Sequence, residues 1–419
     1  MACLINVLAV VILILLGGVM GQQGAHVQAN DNAEQFALLC RIYNVAKNPP
    51  INHVDIQDPL QIVNDIDSIN ASFDNEKWLN ETEHTGNSED AQLKHTTTRE
   101  TTVTQAILRR ITKKAHTILE QIGRVNATRD IEKVKTEFSQ IIFGKGRSES
   151  HLCDESLKDL GDRATACGRP GAETKGSHAG KNLVVDFFCI CAQRTKSNEG
   201  IDNACRVQVG GKGDQHGWGD QGPLGAVSMW ASLKRECGNL MQQHTKSTEE
   251  GHELLEDFLS HLKAGGLYRW GKDSKDSSRK ASMLGTAAGT DNDGNGKDIL
   301  CNGRKGKNGG GNVKSGGICV YYGPVTQLDD NIEWLKKFKT ALASVDAVNN
   351  QTAFIQRSLQ KLQMLQHRAE YIYETANVIS ETQKPFVPKD SQTAAKRLTA
   401  YNAAWRYRHH LILPWVLLL

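Results

Sequence analysis

The stretch that decides the fold is residues 332–379, IEWLKKFKTALASVDAVNNQTAFIQRSLQKLQMLQHRAEYIYETANVI. Its apolar positions recur at alternating steps of three and four residues, which gives a mean near 3.5 and is typical of a coiled-coil seam. The stripe comprises Ile332, Leu335, Phe338, Leu342, Val345, Val348, Thr352, Ile355, Leu359, Leu362, Gln366, Ala369, Ile372, Ala376 and Ile379. The pattern predicts a helix over 329–380, and at ~1.5 Å per residue the quoted stretch alone would reach roughly 70 Å. A helix of this length needs a partner to bury its apolar stripe.

A second stripe of the same kind lies upstream and predicts a helix over 98–142, with a break in the pattern after Val125. Its apolar positions are Val103, Ile107, Ile111, Ala115, Ile118, Ile122, Val125, Ile131, Val134, Phe138 and Ile141. The positions between them suit a solvated face, namely Arg109, Arg110, Lys113, Lys114, Glu120 and Gln121. We expect the two long helices to pair antiparallel, with a shorter helix over 33–47 packed on them before Pro49 and Pro50.

The fold class is therefore mainly α, an elongated antiparallel coiled coil or helical bundle. Residues 147–324 form a loop-rich head inserted between the two long helices. Within the head, Leu183–Ile190 is the best strand candidate and His252–Leu262 reads as a helix. The glycine-rich runs Gly210–Gly225 and Gly285–Gly317 are expected to be long surface loops, the segment from Arg304 to Lys314 included.

Composition excludes several classes of protein. The chain has 419 residues, with 50 Lys and Arg against 47 Asp and Glu, so it lacks the basic excess of a nucleic-acid-binding protein. With 39% hydrophobic and 23% charged residues it is globular, not disordered.

Both ends of the chain resemble processing signals. Residues 1–21 form an apolar run ending in small residues, which predicts a cleaved signal peptide; an uncleaved membrane anchor is the alternative. At the other end, Asn402 begins a run of small residues followed by a basic spacer and an apolar tail, the layout of a GPI-attachment signal over 403–419. The alternative is an apolar plug in a core. The mature protein would be an ectodomain over 22–385 and a short stalk over 386–402, on the cell surface.

Nine cysteines remain after signal removal, and eight fall in the head. In an oxidising compartment we expect disulfides, which would hold together a region that buries little apolar surface. The candidates are Cys40, Cys153, Cys167, Cys189, Cys191, Cys205, Cys237, Cys301 and Cys319. Their pairing cannot be read from spacing. The odd cysteine is free, pairs between chains or competes with another partner. The spacing of Cys189 and Cys191 lacks the second pair that a zinc site needs.

Four Asn-X-Ser/Thr triplets are candidate N-glycosylation sites, at Asn70, Asn80, Asn126 and Asn350. The two at Asn126 and Asn350 lie within helical patterns, so they could carry glycans only on an exposed helix face. We expect one or two of the four to be used.

Catalytic and ligand motifs are incomplete. Residues 291–296 match the first half of an EF-hand loop, but the twelfth position is Asn302 where a bidentate glutamate is needed. Residues 266–272 have P-loop spacing, but Asp273 replaces the Ser or Thr that would bind magnesium. His252 and Glu253 lack the second histidine of a zinc protease. We therefore predict no enzyme activity, no metal and no cofactor.

Four segments resemble the variant surface glycoproteins of African trypanosomes, with a B-type N-terminal domain. They are Phe36-Ala-Leu-Leu-Cys40-Arg-Ile, Cys189-Ile-Cys191, Cys319-Val-Tyr-Tyr322 and Ile332-Glu-Trp334-Leu335-Lys-Lys-Phe338. The resemblance covers essentially 22–385. Many members carry a further cysteine-rich domain before the anchor; here about twenty residues separate the last helix from Asn402.

The resemblance implies a GPI-anchored homo-oligomer, a dimer or trimer, that packs as a dense coat. Exchange of that coat would evade host antibodies, and no nucleic acid is involved. The alternative is a GPI-anchored receptor for a host serum protein on the same helical scaffold. A surface hydrolase would need a nucleophile and a base in a recognisable motif, which the sequence does not show.

Overall fold

The structure is a computed structural model that describes residues 25–52, 58–82, 91–125, 127–152, 157, 160–196, 199–211, 216–240, 247–270, 276–289, 296–306 and 315–382. Within the helices it describes only the backbone of 75–82, 91–99 and 127–128.

The described chain is mainly helical, as the sequence predicts. The α-helices are, in chain order, α1 (Ala33–Lys47), α2 (Pro59–Thr82), α3 (Ala91–Gly123), α4 (Ala127–Phe143), α5 (Arg163–Cys167), α6 (Leu183–Cys191), α7 (Ala226–Leu240), α8 (Thr248–Ala264), α9 (Leu328–Asn331) and α10 (Glu333–Thr382).

The strands lie between α5 and α9. They are β1 (Gly168–Arg169), β2 (Thr174–Lys175), β3 (Gly217–Trp218), β4 (Pro223–Leu224), β5 (Gly266–Trp270), β6 (Asp276–Lys280), β7 (Met283–Ala288) and β8 (Gly316–Tyr321). The first four form two short antiparallel pairs. The others form one sheet in the order β6-β5-β7-β8, in which β5 and β7 are parallel and the other pairs antiparallel.

The chain divides into two compact units. The first comprises Met1–Asp55 and Val125–Ile355, and the second comprises Ile56–Arg124 and Gln356–Leu419. Helix α10 runs through the boundary, so its first part belongs to one unit and its remainder to the other.

In the first unit, α4 and the first part of α10 pack antiparallel. The rings of Phe138 and Phe338 meet edge to face at 5.5 Å, and Gln351 donates to Asp130 at 3.0 Å further along. Both phenylalanines are fully buried. These pairs confirm the antiparallel packing expected of α4 and α10.

In the second unit, α2 and α3 are antiparallel neighbours. His116 lies 3.0 Å from Asp67, and Arg109 lies 3.8 Å from Asp74. The remainder of α10 joins them through Gln366, which donates to Asp65 at 3.1 Å. The buried side chains of these three helices are Ile62, Val63, Ile66, Phe73, Leu108, Ile111, Ala115, Ile122, Ser358, Leu359, Leu362 and Ala369.

The predicted stripe on α10 is buried over most of its length. Its members from Leu335 to Ile355 are at most 5% exposed, and Leu359, Leu362 and Ala369 are also buried, while Gln366 is half-buried. Beyond that point Ile372 and Ala376 are only half-buried and Ile379 is 38% exposed. A heptad pattern therefore located the core face and overestimated where it ends.

The helix predicted over 98–142 is two helices, α3 and α4, and α3 begins earlier, at Ala91. The pattern breaks after Val125, which is where α3 has ended at Gly123 and α4 has not yet begun. The helix predicted over 329–380 begins at Glu333, because Ile332 is extended, with ψ of 90°, and separates α9 from α10.

The strand predicted at Leu183–Ile190 is wrong, because this segment is helix α6. Asn182 caps its amino end by accepting a hydrogen bond from Val185 N at 3.0 Å. Every residue of α6 is buried, and a short run that is apolar on all sides has no period that separates a buried helix from a buried strand.

The glycine-rich runs are not simply surface loops. Trp218 in the first run is fully buried in the pair β3-β4. The second run supplies the last four residues of β7 and the first two of β8, two strands whose residues are all buried. The expectation that the head buries little apolar surface is therefore wrong. The helix predicted at His252–Leu262 is confirmed as α8, and the one over 33–47 as α1.

Among the described helices, none combines the length and the apolar character needed to cross a membrane.

Candidate functional site

Every residue of helix α6 is buried, and polar side chains from distant parts of the chain bind both of its ends. Asp186 lies in its first turns and is completely buried. Three donors converge on the Asp186 carboxyl: Gly180 N at 3.0 Å on Oδ1, with Tyr322 Oη at 3.0 Å and Trp334 Nε1 at 2.7 Å on Oδ2. The carboxyl thus joins α6 to the residue after β8 and to the start of α10.

Burial raises the pKa of Asp186 from 3.8 to about 7, although the hydrogen bonds from Gly180, Trp334 and Tyr322 and the charge of Lys175 act in the opposite direction. Removal from water disfavours the carboxylate form. The pKa of Tyr322 is raised well above its usual value, first by burial and then by Asp186. This cluster is therefore a structural clasp whose charge depends on pH.

Arg163 secures the carboxyl end of α6. Its guanidinium donates to the carbonyls of Phe188, Cys189 and Ala192 at 3.1, 2.7 and 2.6 Å. The end of a helix leaves its last carbonyls without helical donors, although Phe188 O also accepts from Ala192 N at 3.0 Å. The guanidinium also lies 5.2 Å from the centre of the Trp218 ring. Burial, followed by the charge of Arg194, lowers its pKa to about 9.

Asn32 adds a second link at the same end of α6. Its Nδ2 donates at 2.7 Å both to Ile190 O in α6 and to Ile318 O in β8. Nothing in the local sequence around Asn32 or Arg163 signals these contacts, because each bridges segments far apart in the chain.

Four disulfides join eight of the candidate cysteines within the described residues: Cys40–Cys237, Cys167–Cys189, Cys191–Cys205 and Cys301–Cys319. All eight residues are at most 3% exposed. The first bond joins α1 to α7, while the second and third fix the end of α6 to α5 and to the loop that follows. Cys153 lies outside the described residues.

The sequon asparagines have different surroundings. Asn350 is exposed on α10. Asn70 is half-buried on α2, and its Oδ1 atom is shielded from solvent without a hydrogen-bond partner among the described residues. Asn80 lies on the described backbone of α2 without a described side chain. Asn126 and the predicted anchor residue Asn402 lie outside the described residues.

The segments that partly match a P-loop and an EF-hand loop have other roles in the structure. Residues 266–270 of the P-loop-like spacing form strand β5 rather than a loop after a helix. In the EF-hand-like segment, residues 291–295 lie outside the described residues. Asp298, at the eighth position, instead accepts hydrogen bonds from Tyr268 and Ser315, at 2.9 and 2.5 Å. Within the described parts of the chain, no three His, Cys, Asp or Glu side chains come together as a metal site.

The comparison with protein families decides the assignment. A family model described as the trypanosomal VSG domain matches residues 14–102 and 88–364. The chain belongs to the trypanosomal VSG domain family. No curated protein matches it.

The VSG assignment gives the clasp its context. The segments that carry the resemblance meet around α6: Tyr322 and Trp334 bind Asp186, while Cys189 and Cys40 are both disulfide-bonded. Phe36, from the first of these segments, packs edge to face on Phe187 of α6 at 5.8 Å. VSG proteins are structural coat proteins of the trypanosome surface, and this chain is a trypanosome surface coat protein.

Proposed function

We propose that this VSG is a GPI-anchored glycoprotein that covers the parasite surface as a dense coat and evades host antibodies by antigenic variation. The observation that carries the proposal is the match to the trypanosomal VSG domain across 14–364. Its role is to occupy and shield the surface, so we assign no catalytic residue to it.

The two chain ends support the anchoring. The apolar run and small residues of 1–21 would direct export, and Asn402 would receive the lipid when 403–419 are removed. The protein would then reside in the outer leaflet of the plasma membrane through its GPI lipid, with 386–402 as the stalk.

The scaffold supports a protective role. Four buried disulfides and a clasp around α6 limit local opening, and proteases attack chains that open. N-linked glycans on one or two of the four sequons would add cover. Among the sequons with described side chains Asn350 is the exposed one, so we expect it to be occupied.

One surface of the second unit supports a homo-oligomer. Met364, Tyr371 and Val378 follow each other at intervals of seven residues on α10, and they are 70%, 68% and 60% exposed. Side chains seven apart lie on one helix face, and a heptad apolar stripe is the pattern by which identical helices pair. VSG proteins form coat assemblies, so we assign this stripe, which we call the α10 stripe, to contact with further copies of the chain.

Mass spectrometry of protein released from the cell surface by a phospholipase specific for phosphatidylinositol tests the anchor and both processing sites together. We expect a chain that begins at Gln22, ends at Asn402 with the glycan core of the anchor, and carries a glycan on Asn350. Retention of Leu419 would remove the anchor from the proposal. A low copy number on the cell surface, together with a host serum protein that co-purifies with the chain, would instead indicate the receptor alternative.

The oligomer is tested by light scattering on the released protein. Replacement Tyr371→Glu on the α10 stripe should shift the mass toward the monomer, because a buried unpaired charge opposes association. The matched control is Val325→Glu, which changes an apolar side chain of 43% exposure away from the α10 stripe. Equal masses for both variants and the parent chain would contradict the assignment.

A further inference from the structure

A cavity of about 270 Å³ lies in the first unit where three helices meet. Phe143 ends α4 at its wall, Asn182 and Val185 come from the start of α6, and Lys337 comes from the first turns of α10. Cavities of this kind, formed between elements of one unit, are common places for small ligands.

The inner wall of the cavity is largely apolar. Leu157, Leu160 and Val185 line it and are at most 6% exposed, and Phe143 is half-buried beside them. A ring or a short aliphatic group could therefore lose its water against this wall, which favours binding by the apolar area removed from solvent.

The opening of the cavity is basic. Four cations line it against one acid, Glu333, among the described lining residues; the cations are Lys145, Arg147, Lys181 and Lys337. None of the four forms an ion pair within the described part of the chain, whereas Lys336 and Lys339 on the same helix pair with Asp330 and Asp329 at 2.9 and 2.7 Å. Among the described lining residues, the positive charges therefore exceed the negative ones by three.

The electrostatics of the cavity agree with this count. The pKa of His178, which also lines it, is lowered first by burial and then by the charges of Lys181 and Arg147. The amino end of α6 brings partial positive charge to the cavity and the carboxyl end of α4 brings partial negative charge, so the two helix ends offset each other. The charged side chains therefore determine the sign of the electrostatic potential in the cavity.

We infer that this cavity binds a small organic anion in which an apolar ring adjoins a sulfate, sulfonate or phosphate group. The ring would lie against Leu157, Leu160 and Val185, and the oxyanion would lie among the four cations at the opening. Arginine and lysine are the usual partners of tetrahedral oxyanions.

The test uses a matched pair of fluorescent probes on the full released protein. Anilinonaphthalene sulfonate carries the ring and the anion, and phenylnaphthylamine carries the same rings without the sulfonate. We expect saturable binding of the sulfonate with one site per chain, weakened by salt, and displacement by naphthyl phosphate but not by naphthol. Binding of the uncharged probe at the same affinity would overturn the assignment to an anion.

Two neighbouring lysines provide a matched pair of variants. Lys337→Glu reverses a charge that lines the cavity and should weaken sulfonate binding on the order of tenfold at low salt. Lys336→Glu makes the same change in net charge on the same helix, but Lys336 does not line the cavity, so its affinity should stay near that of the parent. Equal losses in both variants would indicate a general charge effect and would refute the site.

A third variant should act in the opposite direction. Glu333→Gln removes the acid from the described lining and should strengthen sulfonate binding roughly threefold. Because this probe also binds the apolar surface of partly unfolded chains, the gain must be saturable with one site per chain, and the urea midpoint of the variant must equal that of the parent. Unchanged affinity in both Lys337→Glu and Glu333→Gln would overturn the inference.

Discussion

Replacement of Asp186 by asparagine should change how the stability of the fold depends on pH. Burial raises the pKa of the carboxyl from 3.8 to about 7, so the folded chain holds a proton that the unfolded chain has already released. The contribution of this carboxyl to the free energy of unfolding therefore falls as the pH rises from about 4 to about 7, and it is constant outside that range. The full difference corresponds to about 4 kcal/mol.

The asparagine variant cannot ionise, so it lacks this fall. It carries one oxygen in place of two, and three donors face the group: Gly180 N, Tyr322 Oη and Trp334 Nε1. One donor is left facing the amide nitrogen, at a cost of about 1–3 kcal/mol. The variant should therefore be less stable than the parent at about pH 5, and should recover about 3 kcal/mol relative to it by about pH 8.

Urea unfolding of both chains at the two pH values, with the disulfides intact, measures the difference directly. Asp257→Asn is the control, because Asp257 is an exposed carboxyl paired with Arg41 on the surface, where such pairs contribute little. A difference between Asp186→Asn and parent that stays constant with pH would show that the carboxyl pKa is not raised. A variant that loses stability relative to the parent as the pH rises would show that the donors outweigh burial.

Two further predictions concern the ends of α6 and the disulfides. Arg163→Met leaves buried carbonyls without donors and should lower the free energy of unfolding by about 3 kcal/mol; an unchanged urea midpoint would contradict the capping role. Double replacement of Cys191 and Cys205 by alanine opens a link that spans 14 residues and should cost about 3 kcal/mol. The same change at Cys40 and Cys237, whose link spans 197 residues, should cost about 5 kcal/mol, and equal losses in urea unfolding would speak against loop closure as the cause.

The sequence predicts the long helices because periodicity is a local property. The steps of three and four on α10 located residues that are buried, such as Leu335 and Leu362, without reference to any other segment. The same pattern continues through Ile379, where the residue is 38% exposed. An apolar stripe predicts which face of a helix is buried. How far along the helix that face is buried depends on the other segments that pack against it, which the stripe does not reveal.

The clasp around α6 could be predicted only in part. Tyr322 and Trp334 stand in segments that carry the family resemblance, but their common partner is Asp186, 148 residues before Trp334. Asp186 lies in an apolar run that reads equally well as a strand, and a strand would have placed it differently relative to its neighbours. The prediction that the glycine-rich runs of the head are surface loops was wrong for a related reason. Residues such as Trp218 become buried because their segment pairs with another one, which composition does not reveal.

The position of two cysteines on one turn of helix has a consequence for oxidative folding. Cys189 and Cys191 bond to different partners, Cys167 and Cys205, and in a helix two residues at i and i+2 point about 200° apart. Once α6 has formed, each sulfur faces its own partner and exchange between the two bonds is sterically blocked. In an extended chain the same two thiols are interchangeable. Formation of this short helix therefore favours the two native bonds over exchange between them.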